Sequence, residues 1–109
     1  MARKTLLKGK PVDLARKYKK VLLESGVPVD ELILFGSHAK KSARYDSDLD
    51  ICVVSPIFGK KPFEEMMKLG RIALKVDSMI EPHPYNPKDF KNKYDPLASE
   101  IKKTGIKIT

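Results

Sequence analysis

The sequence predicts a small α/β (α+β) domain, a mixed β-sheet with helices packed on one face. Three observations point there. Two short apolar runs, Glu31–Phe35 and Ile51–Val54, have the composition of strands and are bounded by turn formers. The segments that begin at Pro11 and Pro62 space their apolar residues at helical intervals instead. The resulting order is helix, strand, strand, helix, strand, helix. The chain has 109 residues, enough for one domain over 1–109 with a single core, and it shows no internal repeat or low-complexity tract.

Taken in order, Pro11 to Glu24 reads as a helix. Proline suits its first turn, and Val12, Ala15, Val21 and Leu22 form an approximate apolar stripe. Ser25-Gly26 ends it, with Pro28 just beyond. Asp30 to Phe35 is the first strand, and a short helix opens at Ser37 and runs to about Lys41. Leu49 to Val54 is the second strand, stopped by Ser55-Pro56. Because the loop between these strands folds back, they can pair antiparallel, with Leu49, Ile51 and Val53 turned towards the helices. Pro62 starts a second helix through Leu74, with Glu64 and Glu65 well placed in its first turn. Asp77 to about Tyr85 is a third extended segment, and Pro82 and Pro84 make its far end an edge or a loop. Asn86-Pro87-Lys88-Asp89-Phe90 reads as a turn into a helical start. Pro96 to Lys103 is a last short helix, capped by Gly105, and Ile106-Lys107-Ile108 is a brief closing strand.

Chemistry concentrates between the first two strands. Gly36-Ser37 closes the first strand, ten residues follow, and Asp48-Leu49-Asp50 opens the second. Side chains alternate along a strand, so Asp48 and Asp50 project from one face and Leu49 from the other. Carboxylates held side by side repel one another, and cations between them relieve the repulsion. A glycine turn opening a short helix presents backbone N–H groups that suit phosphate. A site for divalent cations next to one for phosphates is the minimum equipment for phosphoryl or nucleotidyl transfer.

This pattern resembles the nucleotidyltransferase signature of the DNA polymerase β-like superfamily, a Gly-Ser turn followed by Asp-x-Asp. The ten-residue gap and short chain resemble its smallest branch, the minimal nucleotidyltransferases. The resemblance implies a polymerase β-like nucleotidyltransferase core and Mg²⁺-dependent transfer of a nucleoside monophosphate, AMP from ATP, to an acceptor. Two Mg²⁺ ions would sit on Asp48, Asp50 and a third carboxylate from a later strand. Glu81 is favoured for that third place by its distance from Asn86–Phe90, with Asp77 the alternative. Gly36, Ser37, Ser47 and Lys40 would serve the triphosphate, although Ser47 reads first as a turn residue and Lys41 or Arg44 could supply the charge instead of Lys40. Relatives often carry arginine after Gly-Ser, where this chain has His38. Members of the smallest branch are paired with a small helical HEPN-type protein, acting as antitoxins that adenylylate the toxin. The same partner is expected here, or a homo-oligomer to complete acceptor selection.

Two other readings stand beside this one. A catalytically weak nucleotide-binding subunit could neutralise a partner by docking, and an RNA-directed enzyme would use the formal charge of +8. That charge is dispersed, and few aromatic residues accompany it to stack bases, so nucleic acid is not favoured. Cys52 is the lone cysteine, within a strand, and reads as a small apolar filler. With no disulfide possible, a cytoplasmic location is expected. The basic run Met1–Lys4 precedes too short an apolar stretch for a signal peptide, and no run is long enough to span a membrane. His38 reads as a solvated helix residue. His83, between two prolines, is placed next to the cleft, where it could stack on a base or assist proton transfer.

Overall fold

The computed structural model describes residues 5–109, so the basic run 1–4 lies outside the described residues. The sheet has four strands in the order β3-β2-β1-β4. They are β1 (Glu31–Phe35), β2 (Leu49–Val54), β3 (Ile80–Tyr85) and β4 (Ile106–Lys107). β1 pairs antiparallel with β2 and with β4, while β2 and β3 run parallel. The helices are α1 (Pro11–Glu24), α2 (Pro62–Leu74), α3 (Pro87–Phe90) and α4 (Pro96–Thr104). The antiparallel β1–β2 pairing follows from the fold-back loop, and the parallel β2–β3 pairing needs the crossover that α2 supplies.

The two-residue period sorts the strands into two faces. Leu32 and Leu34 of β1 join Leu49, Ile51 and Val53 of β2 against Leu14, Ala15, Tyr18 and Leu22 of α1 and Leu69, Ile72 and Ala73 of α2. Tyr18 is fully buried, and its hydroxyl donates to the Leu69 carbonyl at 2.9 Å, so the polar end of a core residue is satisfied and ties α1 to α2. The expectation of helices on one face holds for α1 and α2. The other face carries Ile33, Phe35, Cys52 and Val54, and it is partly covered by Phe90, Ala98 and Ile101 from α3 and α4. Gly105 takes an ordinary extended conformation at the end of α4. Its role is close approach, because a Cβ there would collide with the Ile33 side chain and the Ile101 carbonyl.

The third strand begins at Ile80 instead of Asp77. Asp77 is buried, and its carboxylate accepts the backbone N–H of Met79 and of Lys8, both at 2.8 Å, which folds 77–79 into a turn. β3 is an edge strand, as its two prolines suggest, and it continues through both of them to Tyr85. The Met79 and Tyr85 carbonyls accept from Leu49 and Ser55, so the odd-numbered positions face β2. Pro82 and Pro84 fall on the outward positions, where a missing N–H removes no ladder bond. The short helix after β1 is a 3-10 turn limited to Gly36–His38. Lys41 adopts a left-handed φ of 58°, which ends any helical continuation. Among the described residues no helix is long and apolar enough to cross a membrane.

Candidate active site

β2 and β3 deliver the acidic residues. Asp50 lies opposite Glu81 in the parallel register, one inter-strand spacing away, and Cys52 lies opposite His83. Glu81 and His83 share a strand face by the same two-residue period. His83 Nε2 stands 3.2 Å from Asp50 Oδ1 and 3.9 Å from Glu81 Oε1. Asp48, exposed just before β2, reaches the Glu81 carboxyl closely enough to share a hydrogen bond. The Glu81 carboxyl is held above its ordinary range, first by partial burial, then by Asp48 and the Asp50 charge, against a smaller opposing effect of His83. Three carboxylates thus share one cleft with a single imidazole beside them.

The turn after β1 forms the second wall. Gly36 has φ +76°, and a Cβ at this position would stand 2.5 Å from Asp50 Oδ2. Glycine is therefore required twice, for the left-handed backbone and for the close approach of the Asp50 carboxylate. Ser37 follows in the first turn of the 3-10 segment, where N–H groups lack partners within the helix. Phe35 packs edge-to-face on the His83 ring, with centroids 4.9 Å apart, and so fixes the imidazole plane.

The predicted site residues divide on this geometry. Gly36, Asp48, Asp50 and Glu81 converge, and Ser37 borders them. Asp77 does not join them, because its buried carboxylate is occupied by two backbone N–H groups at the foot of β3. Ser47 Oγ accepts the Arg44 backbone N–H at 2.8 Å, the turn role its residue type suggests. The Ser47 carbonyl meets His38 Nε2 at 3.2 Å, so His38 clasps the two ends of the motif loop. Lys40 reaches away to Glu100 of α4, Nζ to Oε1 2.8 Å. That partner lies 60 positions along the chain, and no local pattern signals it. Cys52 is fully buried, and burial, aided by the Glu31 charge, pushes its thiol up to about 12, which leaves no thiolate for nucleophilic chemistry at neutral pH. His83 stands beside Asp50 and Glu81, next to the cleft as its sequence position suggested. The i, i+2 relation to Glu81 was its signal, but the parallel register that sets it against Asp50 is a tertiary fact.

Chemically, the cluster offers hard oxygen donors and one imidazole. Asp50, Glu81 and His83 bring their ligating atoms within 4.8 Å of one another. The donor set fits a divalent cation, because carboxylate oxygens dominate it and the imidazole adds one nitrogen.

The family model for the nucleotidyltransferase domain matches residues 15–108. A crystal structure of a presumed nucleotidyltransferase from Sulfolobus solfataricus superposes with a TM-score of 0.61 at 19% sequence identity, covering 92% of this chain and 87% of that one. At that identity the likeness shows the fold alone. No curated protein matches the chain.

Proposed function

The chain belongs to the nucleotidyltransferase domain family, and on that premise we propose that it transfers AMP from ATP to a protein acceptor, a small helical HEPN-type partner whose toxicity it would suppress. The observation that supports nucleotidyl transfer at this place is the pairing of Asp50 with Glu81 across β2 and β3, with Asp48 beside them and the Gly36 turn against the Asp50 carboxylate. Asp48, Asp50 and Glu81 are the residues that would hold divalent cations. A bound Mg²⁺ would supply positive charge against the triphosphate and lower the pKa of the attacking hydroxyl.

The protein's own groups would do the rest. The Gly36 and Ser37 amides would face the phosphates, and the Ser37 hydroxyl would donate to one of their oxygens. With no side chain at Gly36, a phosphate can approach the backbone closely. Rigid strands hold Asp50 and Glu81 in register, so the acceptor hydroxyl and the α-phosphorus can be aligned without reorganising the acids. Glu81, opposite Asp50 in the β2–β3 register, is the carboxylate that would accept the acceptor's proton. Lys40 is held by Glu100, so phosphate charge would be met mainly by cations and amides.

The test incubates the protein with α-labelled ATP, Mg²⁺ and either a helical partner protein encoded beside it or RNA. Label on the partner that disappears in Asp48→Asn supports the proposal. Label on RNA would assign the positive charge to an RNA acceptor. Absence of label, with wild type and Asp48→Asn both neutralising the partner, would make the domain a docking subunit.

A further inference from the structure

We propose that His83 is a metal ligand, and that Asp50 Oδ1, Glu81 Oε1 and His83 Nε2 form one mixed nitrogen–oxygen cation site that prefers Mn²⁺ or Co²⁺ to Mg²⁺. The inference rests on the reading of this cleft as a cation site, but not on the identity of the nucleotide or the acceptor.

Geometry is the first support. An ion with bonds of about 2.1 Å separates adjacent octahedral donors by roughly 3.0 Å and opposite ones by roughly 4.2 Å. The Nε2 to Oδ1 and Nε2 to Oε1 separations, 3.2 and 3.9 Å, fall inside that span. All three donor atoms lie within 4.8 Å of one another. One ion could touch all three with side-chain adjustments of a few tenths of an ångström.

The second support is how the donors are held. The edge-to-face contact with Phe35 orients the His83 ring, so that Nε2 meets the carboxylates. Asp50 divides its oxygens, Oδ1 towards His83 and Oδ2 towards Gly36. The side chains of His83 and Asp50 are each 25% exposed, open enough for an ion to enter from solvent and sheltered enough to hold it.

Ligand chemistry gives the selectivity. Mg²⁺ strongly prefers oxygen and keeps its waters, whereas an imidazole nitrogen favours the later divalent ions in the usual order of stability. Replacing one oxygen of an all-carboxylate set with Nε2 therefore shifts the preference of this position.

Mn²⁺ binding to the tag-free protein, followed by electron paramagnetic resonance without nucleotide, tests this directly. The chain has two histidines, so His38→Gln is the natural control for His83→Gln. Bound Mn²⁺ should show nitrogen coupling in wild type and His38→Gln and none in His83→Gln. Mn²⁺ affinity should fall at least about tenfold in His83→Gln, while Mg²⁺ affinity, from competition, stays within about twofold. Absence of nitrogen coupling in wild type, an unchanged Mn²⁺ to Mg²⁺ preference in His83→Gln, or no Mn²⁺ binding at all would overturn the proposal. Glu81→Gln separates a folding defect from a lost ligand: it should weaken Mn²⁺ but keep the nitrogen coupling of whatever ion remains. Transfer activity is read separately, so an inactive protein that still shows the coupling would count against the proposed function and not against this site.

Discussion

Acidic side chains crowd both ends of the parallel β2–β3 pair, and their circumstances are opposite. At the β2 entry, Asp48, Asp50 and Glu81 face one another, and the Glu81 carboxyl is held above its ordinary range by burial and its acidic neighbours. At the β3 exit, Glu65 and Asp95 line a cavity of about 330 Å³ with Tyr85 and Asn86. Glu65 accepts the N–H groups of Gly59, Lys60 and Lys61 at 2.9 to 3.2 Å. Asp95 caps α4 through the Ala98 N–H and accepts the Tyr85 hydroxyl. Backbone hydrogen bonds hold both carboxyls below their ordinary range. The contrast teaches that the number of acids in a cleft does not make a site; what matters is whether the protein itself satisfies them. The exit acids are satisfied by backbone and side-chain donors of the fold, whereas Glu81 at the entry meets other acids.

The largest effect should come from removing an entry acid. Asp50→Asn or Asp48→Asn should reduce nucleotidyl transfer by about a thousandfold or more in a labelled-ATP assay, with an unchanged circular dichroism spectrum. Unfolding of both variants would make the entry acids structural and erase the contrast. Gly36→Ala should follow. Its Cβ would push on Asp50 Oδ2, the mobile end of a side chain, so the site yields before the fold does. Transfer should fall by about ten- to a hundredfold, with about 1–2 kcal/mol of left-handed strain seen in urea unfolding.

The exit acids should behave the other way. Asp95→Ala or Glu65→Ala should destabilise by about 1 kcal/mol, lowering the melting temperature by about 4–8 °C, while transfer at 25 °C is retained. Their lowered folded-state pKa values mean that this stability is present above the unfolded carboxylate range and lost as pH falls through the folded values. Glu81 has the reverse sign. Its raised folded-state pKa makes protonation favourable to the fold, a contribution present below the ordinary range and lost as pH rises through the raised value. Metal-free Glu81→Gln should thus melt slightly higher than wild type at neutral pH, although it cannot sustain transfer. Its side chain is 50% exposed, so solvent screening keeps the gain within about 1 kcal/mol. The gain should vanish in acid, where wild-type Glu81 is already protonated.

Much of this contrast was legible in the sequence because its causes are local. Pro11, Pro62 and Pro96 open helices at the positions their fixed φ suggests, and the two-residue period of Leu49–Val54 correctly separates Asp50 from the packed side chains. The Gly36 requirement also declares itself, since a glycine ending an apolar strand before a short helix has few other uses. What the sequence withheld depends on register and distance. Whether Glu81 or Asp77 approaches Asp50 turns on where β3 starts, and an aspartate turn at Asp77–Met79 moves that start by three residues. The cover that α4 gives the second face, and its hold on Lys40, come from a helix packing far along the chain. The outward placement of Pro82 and Pro84 is likewise a property of the ladder and not of the local run.

The melting temperature with and without Mg²⁺ and ATP, compared between wild type and Asp50→Asn, bears most directly on the role of the carboxylates at the β2 entry. Ligand that binds only the folded protein raises its stability by mass action, by about 2.7 kcal/mol at a hundred times the dissociation constant. Wild type should therefore rise by several degrees with Mg²⁺ and ATP together, and Asp50→Asn should hardly move. No rise in wild type, or an equal rise in both proteins, would contradict the assignment of these carboxylates to cation and nucleotide binding.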